Sequence, residues 1–222
     1  MKVTFLNNKK QKLSGIYKKG KKKELIIFCH AYGINKDYPA IKQIAETLEK
    51  EGYSTLRFDF TGVNESEGVL DDIVEQEVND VLSAIKHFKD YKKVILIGGS
   101  IGALVASITS LKSKKVCKLI SINGFFGLPL LSPKFIKPYF KFVCDLHDDT
   151  YYIKNFRPGS IKIPVLVIYS KADKDVSQLQ SKMFFSKLKC EKTLKILDKG
   201  DHYLSRKSYI DDTINLIEEW LN

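Results

Sequence analysis

The sequence predicts an α/β protein in which a mainly parallel central sheet is covered by helices on both faces. Uninterrupted apolar runs such as Leu25 to Cys29 and Val94 to Ile97 are typical of strands buried on both sides. Segments with apolar residues at helical spacing, such as Val74 to Phe88, separate these runs. The chain has 222 residues, 44% of them hydrophobic, which is enough for one well-buried core. We therefore expect residues 1–222 to form a single domain.

The first two elements differ from the rest. The segments Lys2 to Leu6 and Lys12 to Tyr17 are short and alternate between apolar and polar residues. Such alternation is typical of strands with one face exposed, and the short spacing favours a hairpin. We expect an antiparallel N-terminal hairpin at the edge of the sheet.

After the hairpin, strands alternate with helices, which indicates a parallel three-layer arrangement. Ser208, with Asp211 three residues later, is the predicted N-cap of the last helix. The predicted strands after Leu25 to Cys29 are Thr55 to Phe60, Val94 to Ile97, Leu119 to Ile122, Val165 to Ile168 and Leu194 to Leu197. The predicted helices cover Ile41 to Leu48, Val74 to Phe88, the segment from Ser100 through Ile108, and Ile210 to Leu221.

One long segment, from Phe125 to Lys162, has no clean periodicity and is rich in Phe, Tyr and Pro. Long irregular insertions in compact domains often cover a functional site, although such a segment can also serve packing alone. We predict a small cap or lid at about 125–162. We expect Phe125, Phe126 and Tyr139 to contribute to a substrate pocket.

Composition limits the classes of function. The formal charge of +11 invites a nucleic-acid or membrane hypothesis, but the densest lysine cluster, Lys18 to Lys23, lies where two strands would be joined and contains no aromatic residue for base stacking. We interpret it as a solvated turn and expect no nucleic-acid partner.

The four cysteines are far apart, which predicts free thiols and no metal site or redox pair. The sequence shows no signal peptide and no apolar stretch that could span a membrane, so we expect a cytoplasmic protein without stable membrane insertion.

Ser100 is the candidate nucleophile. It stands between glycines in the run Gly98 to Gly102, at the junction of a predicted buried strand and a predicted helix. A tight turn there would expose the hydroxyl at the carboxyl edge of the sheet, and the flanking glycines would avoid steric overlap. The amide of Ile101 at the helix N-terminus would favour negative charge nearby.

A serine needs a base, and the chain has four histidines. His87 lies on a helix face, His147 lies in the irregular insertion, and His30 follows the first buried strand. His202 lies in a loop between the last strand and the last helix, which makes it the candidate base.

The acid that orients the base should follow another strand at the same edge. The loop after Val165 to Tyr169 contains Asp173 and Asp175, and either carboxylate could reach His202. The order Ser, Asp, His along the chain fits the α/β fold predicted above. It differs from the orders of the same three residues in the chymotrypsin and subtilisin types.

Taken together, these motifs resemble those of the α/β-hydrolase family, in particular its small cinnamoyl or feruloyl esterases and its serine aminopeptidase-like hydrolases. The resemblance covers nearly the whole chain. It depends on His30-Ala31-Tyr32-Gly33, the segment Arg57 to Gly68, the Ser100 turn, and the Asp173 and His202 loops.

The resemblance implies that Asp173 rather than Asp175 is the catalytic acid. It further implies that the amides of Tyr32 and Ile101 form the oxyanion hole. Ala31 replaces the family's usual glycine beside this hole, and Thr61 to Asn64 depart from its usual Arg-Gly-His-Gly.

We therefore expect a serine hydrolase of the carboxylesterase type that cleaves small or medium acyl or aryl esters through an acyl-enzyme, without a cofactor. A peptidase, amidase or thioesterase could use the same triad. In the amidase case Asp145, Asp148 and Asp149 could bind a free amino group. A non-catalytic ligand-binding protein on the same fold is the third alternative.

Overall fold

A computed structural model describes residues 1–70, 73–127 and 155–222. The described residues form one eight-stranded sheet and five α-helices. The strands are β1 (Lys2–Leu6), β2 (Lys12–Lys18), β3 (Glu24–Cys29), β4 (Ser54–Phe58), β5 (Lys93–Gly99), β6 (Val116–Ile122), β7 (Val165–Ser170) and β8 (Lys192–Leu197). The helices are α1 (Pro39–Lys50), α2 (Ile73–His87), α3 (Ile101–Lys112), α4 (Gln178–Lys187) and α5 (Lys207–Leu221).

The strand order is β1-β2-β4-β3-β5-β6-β7-β8. The first two strands form an antiparallel hairpin, and β2 pairs antiparallel with β4, whereas all other neighbours are parallel. The predicted fold class and the N-terminal hairpin are confirmed.

Helices cover both faces of the sheet because the parallel strands are apolar on both. Side chains of α1 and α5 share one cluster of buried residues with Ile26 and Ile97, while those of α2, α3 and α4 share the other with Ile27 and Leu96. Neighbouring residues of one strand thus point to opposite layers.

The strand order reverses at β3 and β5. The chain leaves β3 for β4 on one side, and β5 pairs with the opposite edge of β3. Ligands of open α/β sheets bind in the crevice at such a reversal, beyond the carboxyl ends of the strands. The loops that follow β3 and β5 carry Tyr32 and Ser100, so both lie at this crevice.

Two local features differ from the sequence-based prediction. Helix α4 was not predicted, because only a few of its residues face the core and two of these, Gln180 and Ser181, are polar. Its N-cap is Ser177, whose side chain accepts a hydrogen bond from the amide of Leu179. The prediction that Ser208 caps the last helix is wrong, since α5 begins at Lys207 after Arg206.

Most of the predicted cap lies outside the described residues. Within 125–162 the structure describes residues 125–127 and 155–162, including a short 3₁₀ turn at Pro158–Ser160. A lid over the site therefore stays a prediction.

Candidate active site

Ser100 occupies a strained turn between β5 and α3. Its φ of 52° lies in the left-handed region that side chains rarely adopt. The turn is fixed by main-chain bonds: the Ser100 amide donates to Ile122 of the neighbouring strand, and its carbonyl accepts from Ala103 and Phe125. The rigid turn holds the side chain at the carboxyl end of the sheet.

Two of the surrounding glycines are required by sterics. A Cβ at Gly98 would overlap the main chain of Gly102 and Ala103, and one at Gly102 would overlap the carbonyl oxygens of Cys29 and His30. The start of α3 can therefore pack directly against the end of β3. Gly99 is different, because a Cβ there would meet no atom within 4 Å.

The structure brings Ser100, His202 and Asp173 into one chain of hydrogen bonds. His202 Nε2 lies 2.9 Å from Ser100 Oγ, and His202 Nδ1 lies 2.7 Å from Asp173 Oδ2. A carboxylate only accepts hydrogen bonds, so Nδ1 carries the proton and Nε2 is free to accept the serine O–H. The His202 side chain is fully buried and that of Asp173 is 3% exposed, so water competes little for either contact.

The loops around Asp173 and His202 hold these side chains in place. Asp173 Oδ1 accepts hydrogen bonds from the amides of Asp175 at 2.8 Å and Val176 at 2.9 Å, which leaves Oδ2 for the imidazole. Asn123 follows β6 and links both loops. Its side chain donates to the His202 carbonyl at 3.1 Å and accepts from the Ser170 amide at 2.8 Å.

The predicted oxyanion donors lie in the segments that follow β3 and β5. Ile101 is the first residue of α3, where backbone amides have no partner within the helix. Tyr32 follows β3 by three residues, in the loop that Gly102 touches. Both amides therefore belong to segments that pack against each other at the Ser100 turn.

His30 fixes the loop that carries Tyr32. Its Nδ1 donates to the Ala31 carbonyl at 2.9 Å, and its Nε2 accepts from the Phe60 amide at 3.2 Å. Burial is the main reason that the pKa of His30 falls to about 4. The imidazole is thus neutral at pH 7, and it is a structural side chain rather than a base.

This neutral state predicts an acid-dependent loss of stability. An imidazole with a pKa near 6.5 when unfolded and about 4 when folded stabilises the fold above pH 6.5, and this contribution disappears as the pH falls towards 4. We expect the free-energy advantage of the wild type over His30→Gln to shrink by up to about 3 kcal/mol across that range. Urea unfolding of both proteins between pH 4 and 7.5 measures it. Parallel pH curves for the two proteins would contradict this assignment.

An ion cluster around the buried Lys36 supports the same loop. Lys36 is 1% exposed, and its Nζ lies 2.9 Å from Asp59, 2.8 Å from Glu65 and 3.1 Å from Asp37. The Lys36 amide also donates to Asp59 at 2.8 Å. These contacts raise the pKa of Lys36 despite its burial, so the ammonium group stays charged. The cluster ties the loop after β3 to the loop after β4.

A partly open, mostly apolar cavity of about 60 Å³ adjoins Ser100 and His202. It lies between the carboxyl ends of the central strands, helix α1 and the segment that follows His202. Its lining includes Ile34, Ile44 and Leu204.

The aromatic side chains predicted for the substrate pocket are not part of the described lining of this cavity. Phe125 and Phe126 are buried in the cluster under α2, α3 and α4, where Phe126 stacks on Phe184 at 3.9 Å between ring centroids. Neither lines the cavity beside Ser100. Tyr139 lies outside the described residues. An aromatic residue after a strand can stack within the core as readily as line a pocket, and sequence spacing does not distinguish the two.

Sequence reasoning missed Asn123, the Lys36 cluster and the lining of the cavity. A polar residue directly after the buried strand β6 was the available signal for Asn123. The lining comes from separate segments, so no local pattern indicates it.

Two features are absent from the described residues. No described helix is both long and apolar enough to cross a bilayer. In the same residues, no group of three or more His, Cys, Asp or Glu side chains is arranged to hold a metal ion.

Comparison with known proteins places this chain in a family. The profile of the alpha/beta hydrolase fold matches residues 24–143. The uncharacterized protein YfhR of Escherichia coli O157:H7 is 22% identical over 182 residues, which cover 78% of this chain; the chain spans 61% of the length of that relative.

Solved structures show the same fold over the whole chain. A putative hydrolase from Agrobacterium vitis S4 superimposes with a TM-score of 0.82 at 19% identity and covers 100% of this chain and 98% of its own. The esterase Pf2001 of Pyrococcus furiosus gives 0.82 at 23% identity, with 100% and 90% covered. Est1E of Butyrivibrio proteoclasticus, solved with ferulic acid, gives 0.79 at 18% identity, with 99% and 98% covered. With a family profile that matches more than half of its residues and this sheet topology, the chain belongs to the α/β-hydrolase family.

Proposed function

We propose that this protein is a serine hydrolase that cleaves carboxylic esters through an acyl-enzyme. The observation that carries the proposal is the chain of two short hydrogen bonds from Ser100 Oγ through His202 to Asp173. A nucleophile, a base and a group that orients the base are what acyl transfer requires. Family membership and the esterases among the similar structures support the same class of reaction.

In the first half of the reaction, Ser100 Oγ attacks the ester carbonyl carbon while His202 Nε2 takes the hydroxyl proton. Asp173 stabilises the imidazolium through the bond from Nδ1. The carbonyl oxygen becomes an oxyanion that the amides of Tyr32 and Ile101 would stabilise. The tetrahedral intermediate then expels the alcohol, which receives its proton from His202.

In the second half, water attacks the acyl carbon and gives its proton to His202. Collapse of the second tetrahedral intermediate returns the proton to Ser100 and releases the acid. Both halves use the same triad.

The amide alternative depends on acidic side chains that could bind a free amino group. Asp145, Asp148 and Asp149 lie outside the described residues, so the structure gives no observation that favours this alternative. Turnover of aminoacyl p-nitroanilides, thioesters and esters under the same conditions would show which of these three bonds the protein cleaves.

The proposal predicts turnover of p-nitrophenyl esters and stoichiometric labelling by a fluorophosphonate probe. Activated phosphonates react with serines that have a neighbouring base, and fluoride leaves as the serine oxygen bonds to phosphorus. The intact mass should therefore rise by the mass of one phosphonyl group, and peptide mapping should locate that group on Ser100. Ser100→Ala and heat-denatured protein are the controls. Absence of label on Ser100 in folded protein, with equal ester turnover by wild type and Ser100→Ala, would instead support a non-catalytic binding protein.

A further inference from the structure

The cavity beside Ser100 has a rigid aliphatic floor. Ile44 of α1, Ile97 of β5, Ile122 of β6 and Leu204 all line it, and each is less than a tenth exposed. They belong to the cluster of buried residues between the sheet and helices α1 and α5. Enlarging such a space requires displacement of packed core residues, so its size is fixed by the fold.

The volume sets the size of what can enter. The cavity measures about 60 Å³. A space that holds one water-sized sphere is about 10–15 Å³, and a cavity of roughly 150 Å³ accepts a benzene ring. By the same measure this cavity holds roughly three or four methyl or methylene groups and excludes an aromatic ring.

The polarity of the lining sets the class of the group. Among the described residues that line the cavity, none is Asp, Glu, Lys or Arg. His30 lines it as a neutral imidazole whose ring nitrogens are both bonded to main chain. A charged amino or carboxylate group would lose hydration there and would find no oppositely charged Asp, Glu, Lys or Arg in the described lining, which is unfavourable. A saturated hydrocarbon has no polar group that would lose hydrogen bonds to water.

The order of product release decides which half of an ester occupies this space. The alcohol must leave while the acyl group is still attached to Ser100, and water must then reach the acyl carbon. A cavity next to Ser100 with a floor of packed core residues suits the group that stays attached. The departing alcohol then lies on the open side.

We propose that this cavity is the acyl pocket and that it selects short saturated acyl groups of about two to four carbons. The inference rests on the proposed ester hydrolase function and narrows its substrate class. It assigns the specificity to residues of α1 and to the segment after His202.

Acyl chain length in a series of p-nitrophenyl esters tests the inference. Each methylene that enters an apolar site contributes a factor of roughly four in kcat/KM, so butyrate, with two more methylenes, should exceed acetate by about 15-fold. Octanoate and ferulate esters should fall at least tenfold below butyrate, because the cavity is too small for them.

Two substitutions in the lining should move this preference in opposite directions. Ile44→Ala enlarges the cavity and should raise the octanoate-to-butyrate ratio by about tenfold. Ala40→Val, one turn earlier on α1, should lower the butyrate-to-acetate ratio by about tenfold. Leu48→Ala is the matched control, because Leu48 is a buried α1 residue that does not line the cavity. It should reduce stability as Ile44→Ala does while leaving both ratios unchanged.

The outcomes separate this inference from the proposed function. Ser100-dependent hydrolysis that is independent of chain length, or fastest for octanoate or ferulate, would overturn the acyl pocket and leave the esterase proposal intact. Equal shifts in Ile44→Ala and Leu48→Ala would overturn it too. If Ile44→Ala fails to fold, the butyrate-to-acetate ratio of Ala40→Val alone tests the acyl pocket, and an unchanged ratio would overturn it. No Ser100-dependent hydrolysis of any ester would overturn both.

Discussion

Replacing Ser100 with alanine should lower kcat/KM for p-nitrophenyl butyrate by about 10⁴- to 10⁶-fold, to the level left by substrate binding and the oxyanion donors alone. The reason is chemical, since alanine has no group to form the acyl-enzyme. The variant should also lose fluorophosphonate labelling. Because Ser100 Oγ makes its one described bond to His202, we expect little loss of stability.

The residues of a catalytic triad act as a unit, so under the proposed mechanism the effects of single substitutions should not add. His202→Ala should cost about as much as Ser100→Ala, and the double variant should be no more than a few-fold worse than either. Ser107→Ala is the matched control, because it removes a buried serine hydroxyl of helix α3 whose described hydrogen bond goes to the Ala103 carbonyl at 2.7 Å. A Ser107 effect as large as the Ser100 effect, or single losses that multiply in the double variant, would contradict the proposed roles.

The strands of the central sheet could be predicted because the signal for each lies within a few consecutive residues. Strands buried on both faces must be apolar along their buried length, and the interiors of β3, β5 and β7 are such runs, so each was found from a few consecutive residues. The amphipathic helices α1 and α2 repeat their apolar residues at helical spacing. Helix α4 lacks that repeat, because its polar residues Gln180 and Ser181 face the core, and it was missed.

The candidate site was predictable only in part. The glycines identify the Ser100 turn because main-chain overlap excludes any other residue at Gly98 and Gly102. His202 could be selected because the alternatives were few. By contrast, the choice between Asp173 and Asp175 depends on how one loop folds, and residue spacing left it open until the family resemblance was considered.

The cavity could not be predicted at all, and the reason is physical. Its walls come from β3, α1, β5, β6 and the segment after His202, which meet only when the sheet has formed. The aromatic segment that includes Phe125 and Phe126 suggested that these rings contribute to a substrate pocket. Both rings instead pack in the core on the opposite face, and the small, mostly apolar cavity beside Ser100 is lined by other residues.

Asp173→Asn should lower kcat/KM by about 10⁴-fold while the protein stays folded. Asparagine keeps an acceptor for the amides of Asp175 and Val176, so the loop should survive. Its amide group cannot stabilise an imidazolium, and an NH₂ turned towards Nδ1 would favour the tautomer that blocks Nε2. The rate of fluorophosphonate labelling should fall with kcat/KM, and thermal unfolding should shift by only a few degrees.

Asp175→Asn is the comparison that gives this prediction its force. It removes a carboxylate two residues away in the same loop and leaves the amide that bonds to Asp173 Oδ1, so kcat/KM should stay within about threefold of wild type. The geometry requires this asymmetry, because it is Asp173 Oδ2 that lies 2.7 Å from His202 Nδ1. Equal losses in the two variants would mean that the loop's net charge, rather than the Asp173 contact, supports the base. A loss confined to Asp175→Asn would reverse the assignment of the acid.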